Sequence, residues 1–187
     1  MYTLADINPM QYSEFQEIVE SLILKIKDSG VNFQVICPIL RSGAIPATII
    51  ANKLKIQVML PIHVKCNEAN QNMEQILPFQ LPIDNRLGDS PNILIVEANT
   101  ITGKTAAKSY EIVKKAFPKS KIYYATVGRV FRNPEVKLEM YEKYFWGTFT
   151  DELFEATPDE SKELCIRPKI TIYPWETPEF ELADING

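Results

Sequence analysis

Thr102, Gly103, Lys104 and Thr105 follow within a few residues of the apolar run Ile93 to Val96, and residue types in that order can hold a phosphate. The glycine permits a sharp turn, while hydroxyls and unpaired backbone N–H groups gather at the start of a helix, whose N-terminus attracts anions. A second such turn, Arg41-Ser42-Gly43, follows the apolar stretch Phe33 to Pro38. Arg41 offers a planar fork for phosphate oxygens, and Gly43 lets the backbone approach closely. Neither turn is specific alone. The Thr-Gly-Lys-Thr sequence has Ala98 where a P-loop needs a glycine five residues before Gly103, so by itself it reads as a tight turn and helix cap. One acid, Glu97, stands between the apolar run and the turn.

These turns need a frame. Ser13-Glu14-Phe15-Gln16 reads as a capping box, and Phe15, Ile18, Val19, Leu22 and Ile26 then follow at helical spacing until Gly30. Strands are predicted at 33–38, 56–60, 93–96 and 121–127, with helices over 44–53 and 105–117. Their alternation specifies an α/β fold, a Rossmann-like twisted parallel sheet with helices on both faces. Ligands in such sheets sit beyond the carboxyl ends of the strands, where both turns fall. Further strands are expected at 143–149 and 169–173, before a polar tail. From Pro61 to Pro91 prolines, asparagines and glycine break any period, as in the irregular covers of functional sites.

Composition narrows the classes. With 187 residues, 45% hydrophobic and 24% charged, the chain fits one soluble domain over 1–187. A net charge of -4 argues against nucleic acid as a partner. Cys37, Cys66 and Cys165 lack metal or disulfide spacing, and the N-terminal residues lack a signal pattern, so a cytoplasmic setting is expected. No apolar run is long enough to span a membrane.

Taken in order, Ile36 to Ala47 and Ile93 to Thr105 resemble the paired motifs of the type I phosphoribosyltransferases. The resemblance covers about 31–130 as the core, with a flexible cover at about 61–91. It implies that Leu40, Arg41, Ser42 and Gly43, with Lys65, hold pyrophosphate. It also implies that Thr100, Ile101, Thr102, Gly103, Lys104 and Thr105 hold the 5-phosphate of phosphoribosyl pyrophosphate. Glu97 becomes the catalytic acid and the protein's ligand to magnesium, the metal being bound mainly through the substrate. Arg129 and Tyr173-Pro174-Trp175-Glu176 look like the purine branch: Arg129 would read an exocyclic oxygen, and Trp175 and Glu176 would meet the base in a C-terminal hood at about 143–180. The implied partners are phosphoribosyl pyrophosphate and a purine-like base or nucleotide, the implied assembly is a homodimer, and the implied role is purine salvage.

The chain departs from that pattern in two places. The family carries adjacent acids where this sequence has Glu97-Ala98, and the hypoxanthine-guanine enzymes carry a further acid where it has Ile101. Proton exchange of that kind contributes ~100- to 10,000-fold. Three readings stay open. Glu97 suffices with Asn99 or Thr100 as neutral ribose partners, the base needs no proton exchange, or the chain binds a nucleotide or sugar phosphate in a regulatory role without turnover. Lys65 and Arg86 also read as ordinary surface cations. His63, the single histidine, reads as a packing residue, and Tyr123, Tyr124, Tyr144, Phe145 and Trp146 read as core or subunit contact.

Overall fold

The computed structural model describes every residue except 68–71, 81–86, 89 and 134–137. In chain order the first elements are β1 (Ile7–Pro9), α1 (Tyr12–Asp28), β2 (Val35–Pro38), α2 (Ala44–Leu54) and β3 (Val58–Met59). β4 (Val64–Asn67), β5 (Asn72–Gln75), β6 (Asn92–Thr100), α3 (Lys104–Ala116), β7 (Lys121–Val130) and β8 (Tyr144–Asp151) follow. The chain closes through α4 (Pro158–Glu163), β9 (Arg167–Pro168), β10 (Ile170–Ile172) and α5 (Pro178–Asn186).

Ile93, Leu94, Ile95 and Val96 are fully buried because β6 lies inside a six-stranded sheet of order β3-β2-β6-β7-β8-β9. Every strand pair in it is parallel, so both faces must be covered by helices. Alternation divides β6 between two cores. Leu94, Val96 and Ala98 join Phe15, Val19, Leu22 and Ile26 of α1 and Ala47 and Ile50 of α2. Ile93 and Ile95 join Ala106 and Val113 of α3 on the opposite face. The sheet is thus the expected one, and each central strand is longer at its carboxyl end than its apolar run: β6 continues to Thr100 and β7 to Val130.

Several expectations change. The N-cap of α1 is Gln11, which makes no side-chain cap, so Ser13 lies inside the first turn and forms no capping box. Capping boxes occur instead at Thr3/Asp6 and Thr157/Glu160. The described part of the 61–91 cover is not wholly irregular, because β4 and β5 pair antiparallel while Ile62 and Val64 are buried on the α3 side. Residues 81–86, including Arg86, and residue 89 lie outside the described residues. Residues 144–151, assigned to the hood by sequence, are a strand of the main sheet. The hood joins both ends of the chain: β1 pairs in parallel with β10, and Ile7, Ile170, Ile172 and Leu182 of α5 form its small core.

Candidate functional site

The Arg41 turn is fixed by backbone bonds to its neighbours. Ile39 N–H donates to the Val96 carbonyl (2.9 Å) and Leu40 N–H to the Ile62 carbonyl (2.7 Å). The turn closes through Gly43 N–H to the Ile39 carbonyl (3.0 Å) and enters α2 directly. Gly43 has an ordinary φ of -69°, so its glycine requirement is one of space. A Cβ there would stand 2.5 Å from the Val96 carbonyl oxygen and 2.6 Å from that of Ile39. The close approach read from the sequence is an approach of turn to strand.

At the end of β6, Gly103 turns the chain into α3 with a φ of 75°, a left-handed conformation that favours glycine. Thr102 Oγ1 accepts from Lys104 N–H (3.4 Å), and the first bond of the helix runs from Ala107 N–H to the Gly103 carbonyl (2.9 Å). The amides of that first turn have no partner within the helix and suit an anion. Ile101 and Lys104 are exposed there, and Thr105 is half-buried. Thr100 is not part of this turn: it is the last residue of β6, is buried, and its hydroxyl meets that of Tyr124 at 2.9 Å.

Glu97 lies inside β6, half-buried toward the α3 face, where the Tyr124 hydroxyl donates to its carboxylate. Removal from water pushes its carboxyl up to about 7, against the downward pull of hydrogen bonds from Tyr124 and Thr100. Ala98 points to the other face, packed with Val127 and Tyr173, and the Tyr173 hydroxyl donates to its carbonyl (2.7 Å). Asn99 donates through Nδ2 to Glu152, a buried acid that sequence reasoning missed. Burial pushes Glu152 up to about 7, while bonds from Asn99 and the Thr171 backbone pull it down. Both neutral candidates for ribose are therefore engaged, Asn99 with Glu152 and Thr100 with Tyr124.

Magnesium favours phosphate oxygens with one or two carboxylates. Here Glu97 is tied to a phenol and titrates near 7. Among the described residues no group of three or more His, Cys, Asp or Glu side chains could hold a metal.

A cavity of about 710 Å³ opens beside the Arg41 turn. Its lining includes Leu40, Arg41 and Ser42 with His63 and Lys65. Strand alternation sends Ile62 and Val64 into the core and turns His63 and Lys65 toward this space, so His63 is a cavity residue and not a packing one. The lining is completed by Trp175 and Glu176, then Thr177, Phe180, Glu181 and Asp184 from the start of α5 and along it. Trp175 stacks on Tyr173 (5.2 Å between centroids) and meets Phe15 edge to face. Glu176 accepts from Tyr173 N–H (2.9 Å). Its carboxyl is pushed up to about 7 by burial, with Arg41 among the groups pulling it back.

Leu40, Arg41, Ser42, Lys65, Trp175 and Glu176 are thus brought together at one cavity. Glu97, the Thr102 to Thr105 turn and Arg129 are not among its lining residues. The Arg129 guanidinium lies 5.0 Å above the Trp146 ring and 5.3 Å above that of Tyr144, a cation–π stack on β8. The α5 residues left no apolar period to read in the sequence. Their only signal was Thr177-Pro178, the pairing of a cap-forming residue with a first-turn proline.

No family model matches the chain. Solved structures do. The purine phosphoribosyltransferase from Pyrococcus horikoshii is 20% identical with a TM-score of 0.65, the match covering 92% of this chain and 95% of that one. A hypothetical protein from Neisseria gonorrhoeae with bound ppGpp is 16% identical with a TM-score of 0.69, covering 98% and 97%. The xanthine-guanine-hypoxanthine phosphoribosyltransferase of Helicobacter pylori is 12% identical with a TM-score of 0.62, covering 95% and 99%. Strand order, helix placement and these likenesses agree that the chain has the type I phosphoribosyltransferase fold.

Proposed function

We propose that the chain binds phosphoribosyl pyrophosphate and a purine-like base and joins them, as a cytoplasmic, homodimeric enzyme of purine salvage. One observation carries this reading: two anion-suited turns stand at the carboxyl ends of the adjacent strands β2 and β6, and one of them shares a cavity with Trp175. Arg41, with the turn amides and Lys65, would hold pyrophosphate. The first amides of α3 and the Thr102 and Thr105 hydroxyls would hold the 5-phosphate. Holding both ends of the donor beside an oriented base turns an encounter between two molecules into a reaction within one complex.

In the transfer, the bond from the anomeric carbon to pyrophosphate breaks with its electrons leaving on the pyrophosphate oxygen. A ring nitrogen of the base then supplies the pair for the new bond and loses its proton to water, since Ile101 offers no acceptor. Glu97, kept in place by Tyr124, is the acid assigned to the positive charge that develops on the sugar. Magnesium would be brought by the substrate and would neutralise charge on the leaving pyrophosphate, with Glu97 as the carboxylate assigned to it.

A second reading has its own support: nucleotide binding without turnover. Ala98 and Ile101 are apolar where the resemblance implies acids, and the Neisseria gonorrhoeae protein of this fold has bound ppGpp. One experiment separates the two. The purified chain is incubated with phosphoribosyl pyrophosphate, magnesium and a panel of bases, and nucleotide is followed by mass spectrometry. Transferase activity predicts base-dependent nucleotide and pyrophosphate in equal amounts. Saturable binding of nucleotides with no product from any base would overturn it in favour of the second reading.

A further inference from the structure

Thr177, Phe180, Glu181 and Asp184 recur at the i, i+3, i+4, i+7 spacing of one helix face, and all four line the cavity. The opposite face anchors the helix: Leu182 is buried with Ile7, Ile170 and Ile172. Asn186 clasps the other end of the chain, accepting from Tyr2 N–H (2.7 Å) and donating to the Tyr2 carbonyl (2.9 Å). The cavity face of α5 is therefore held in position while bearing groups that the core does not use. Phe180 is 75% exposed, a large ring left in water at the cavity that also holds the half-buried indole of Trp175. The same cavity holds the cations Arg41 and Lys65, and Arg41 acts electrostatically on both Glu176 and Glu181.

The cavity lining thus combines cations, carboxylates and aromatic rings. The α5 carboxylates accept N–H donors, and the rings of Phe180 and Trp175 offer flat faces to a ligand in the same cavity. A flat, donor-bearing heterocycle matches both, beside the pyrophosphate assigned to Arg41. We propose that α5 selects the base, with Phe180 covering its ring and Glu181 and Asp184 accepting from an amino group beside a ring N–H, so that an aminopurine is preferred to a dioxopurine. This rests on the reading that the base lies at Trp175. Guanine offers the carboxylates one more donor than hypoxanthine, whereas xanthine turns a carbonyl toward them.

The test measures equilibrium binding of GMP, IMP and XMP to the full chain. A hydrogen bond to a charged group corresponds to roughly ten- to a hundredfold in affinity, and the exposure of Asp184 puts the expected preference for GMP over XMP near the lower figure. In the double variant Glu181→Gln, Asp184→Asn that preference falls to about threefold or less. Phe180→Ala weakens all three nucleotides by a similar factor and leaves their ratios unchanged. Both variants alter surface groups, and an unchanged melting temperature checks that they fold. A wild-type preference for XMP, or a GMP:XMP ratio that the double variant does not move, overturns the role of α5 while leaving the proposed function standing. Absence of binding by all three nucleotides overturns both.

Discussion

Gly43→Ala tests whether the geometry of the Arg41 turn is set by the strand behind it. The added carbon would meet the Val96 oxygen at 2.5 Å and the Ile39 oxygen at 2.6 Å, against about 3.3 Å for an unstrained carbon–oxygen contact. Both oxygens belong to backbone, so no rotamer change relieves the overlap. The turn must move off β6 by roughly 0.8 Å, at a cost of about 3 kcal/mol, the upper end of what overpacking ordinarily costs. Alanine returns up to ~1 kcal/mol by restricting the unfolded chain, leaving about 2 kcal/mol of destabilisation. In a domain of this size that corresponds to a fall of roughly 4–8 °C in melting temperature, or about 1 M in the urea midpoint. Because the displaced residues carry Arg41, affinity for phosphoribosyl pyrophosphate falls as well. Gly30→Ala is the control. It places a side chain at φ 69° with nothing within 4 Å, costing about 1–2 kcal/mol of backbone strain with no effect on the ligand. Urea denaturation and calorimetric titration of both variants decide the matter: a Gly43→Ala protein as stable as wild type, with unchanged affinity, refutes the reasoning.

Other perturbations have defined outcomes. Glu152 has a folded-state pKa raised from 4.5 to about 7, so its contribution to stability is fully present below pH 4.5 and is lost as pH rises through 7. Comparison of wild type with Glu152→Gln by urea unfolding at pH 5 and pH 8 should show a pH-dependent difference of roughly 3 kcal/mol at most; parallel profiles would contradict it. Ala98→Asp places a carboxyl in the core beside Tyr173 and Val127, and lowers stability by about 3 kcal/mol or more. A thermal melt like that of wild type, with tighter substrate binding, would show instead that position 98 opens to the ligand. Arg129→Ala removes a cation from the faces of Trp146 and Tyr144, costing about 1 kcal/mol and leaving nucleotide selectivity unaltered; a changed base preference would return Arg129 to the site.

The central layer was legible because a parallel strand covered on both faces reads as a near-continuous apolar run, and Val35 to Pro38, Ile93 to Val96 and Ile122 to Ala125 have that form. What followed each run was less legible. Glu97 to Thr100 extend β6 although they are mixed in polarity, because pairing with β7 and contacts with Tyr124 and Glu152 hold them, and those partners are distant in sequence. β1 was invisible for the same reason, being three residues stabilised by β10 at the other end of the chain. The two turns were read from glycine, arginine and hydroxyl chemistry, which is local. The cavity was not, since its α5 wall consists of polar and aromatic residues that carry no core period. The stacking of Arg129 on Trp146 and Tyr144 was not legible either, because a position near the end of a strand does not say which face the side chain takes.

The claim on which the account rests is that the Arg41 turn and the N-terminus of α3 form one binding site for phosphoribosyl pyrophosphate. Calorimetric titration of that compound, with magnesium, into wild type and Arg41→Ala tests it directly. Saturable one-to-one binding that weakens roughly ten- to a hundredfold on loss of the guanidinium, with the fold intact, is the predicted result. Equal affinity in the two proteins, or no binding to wild type, would contradict it.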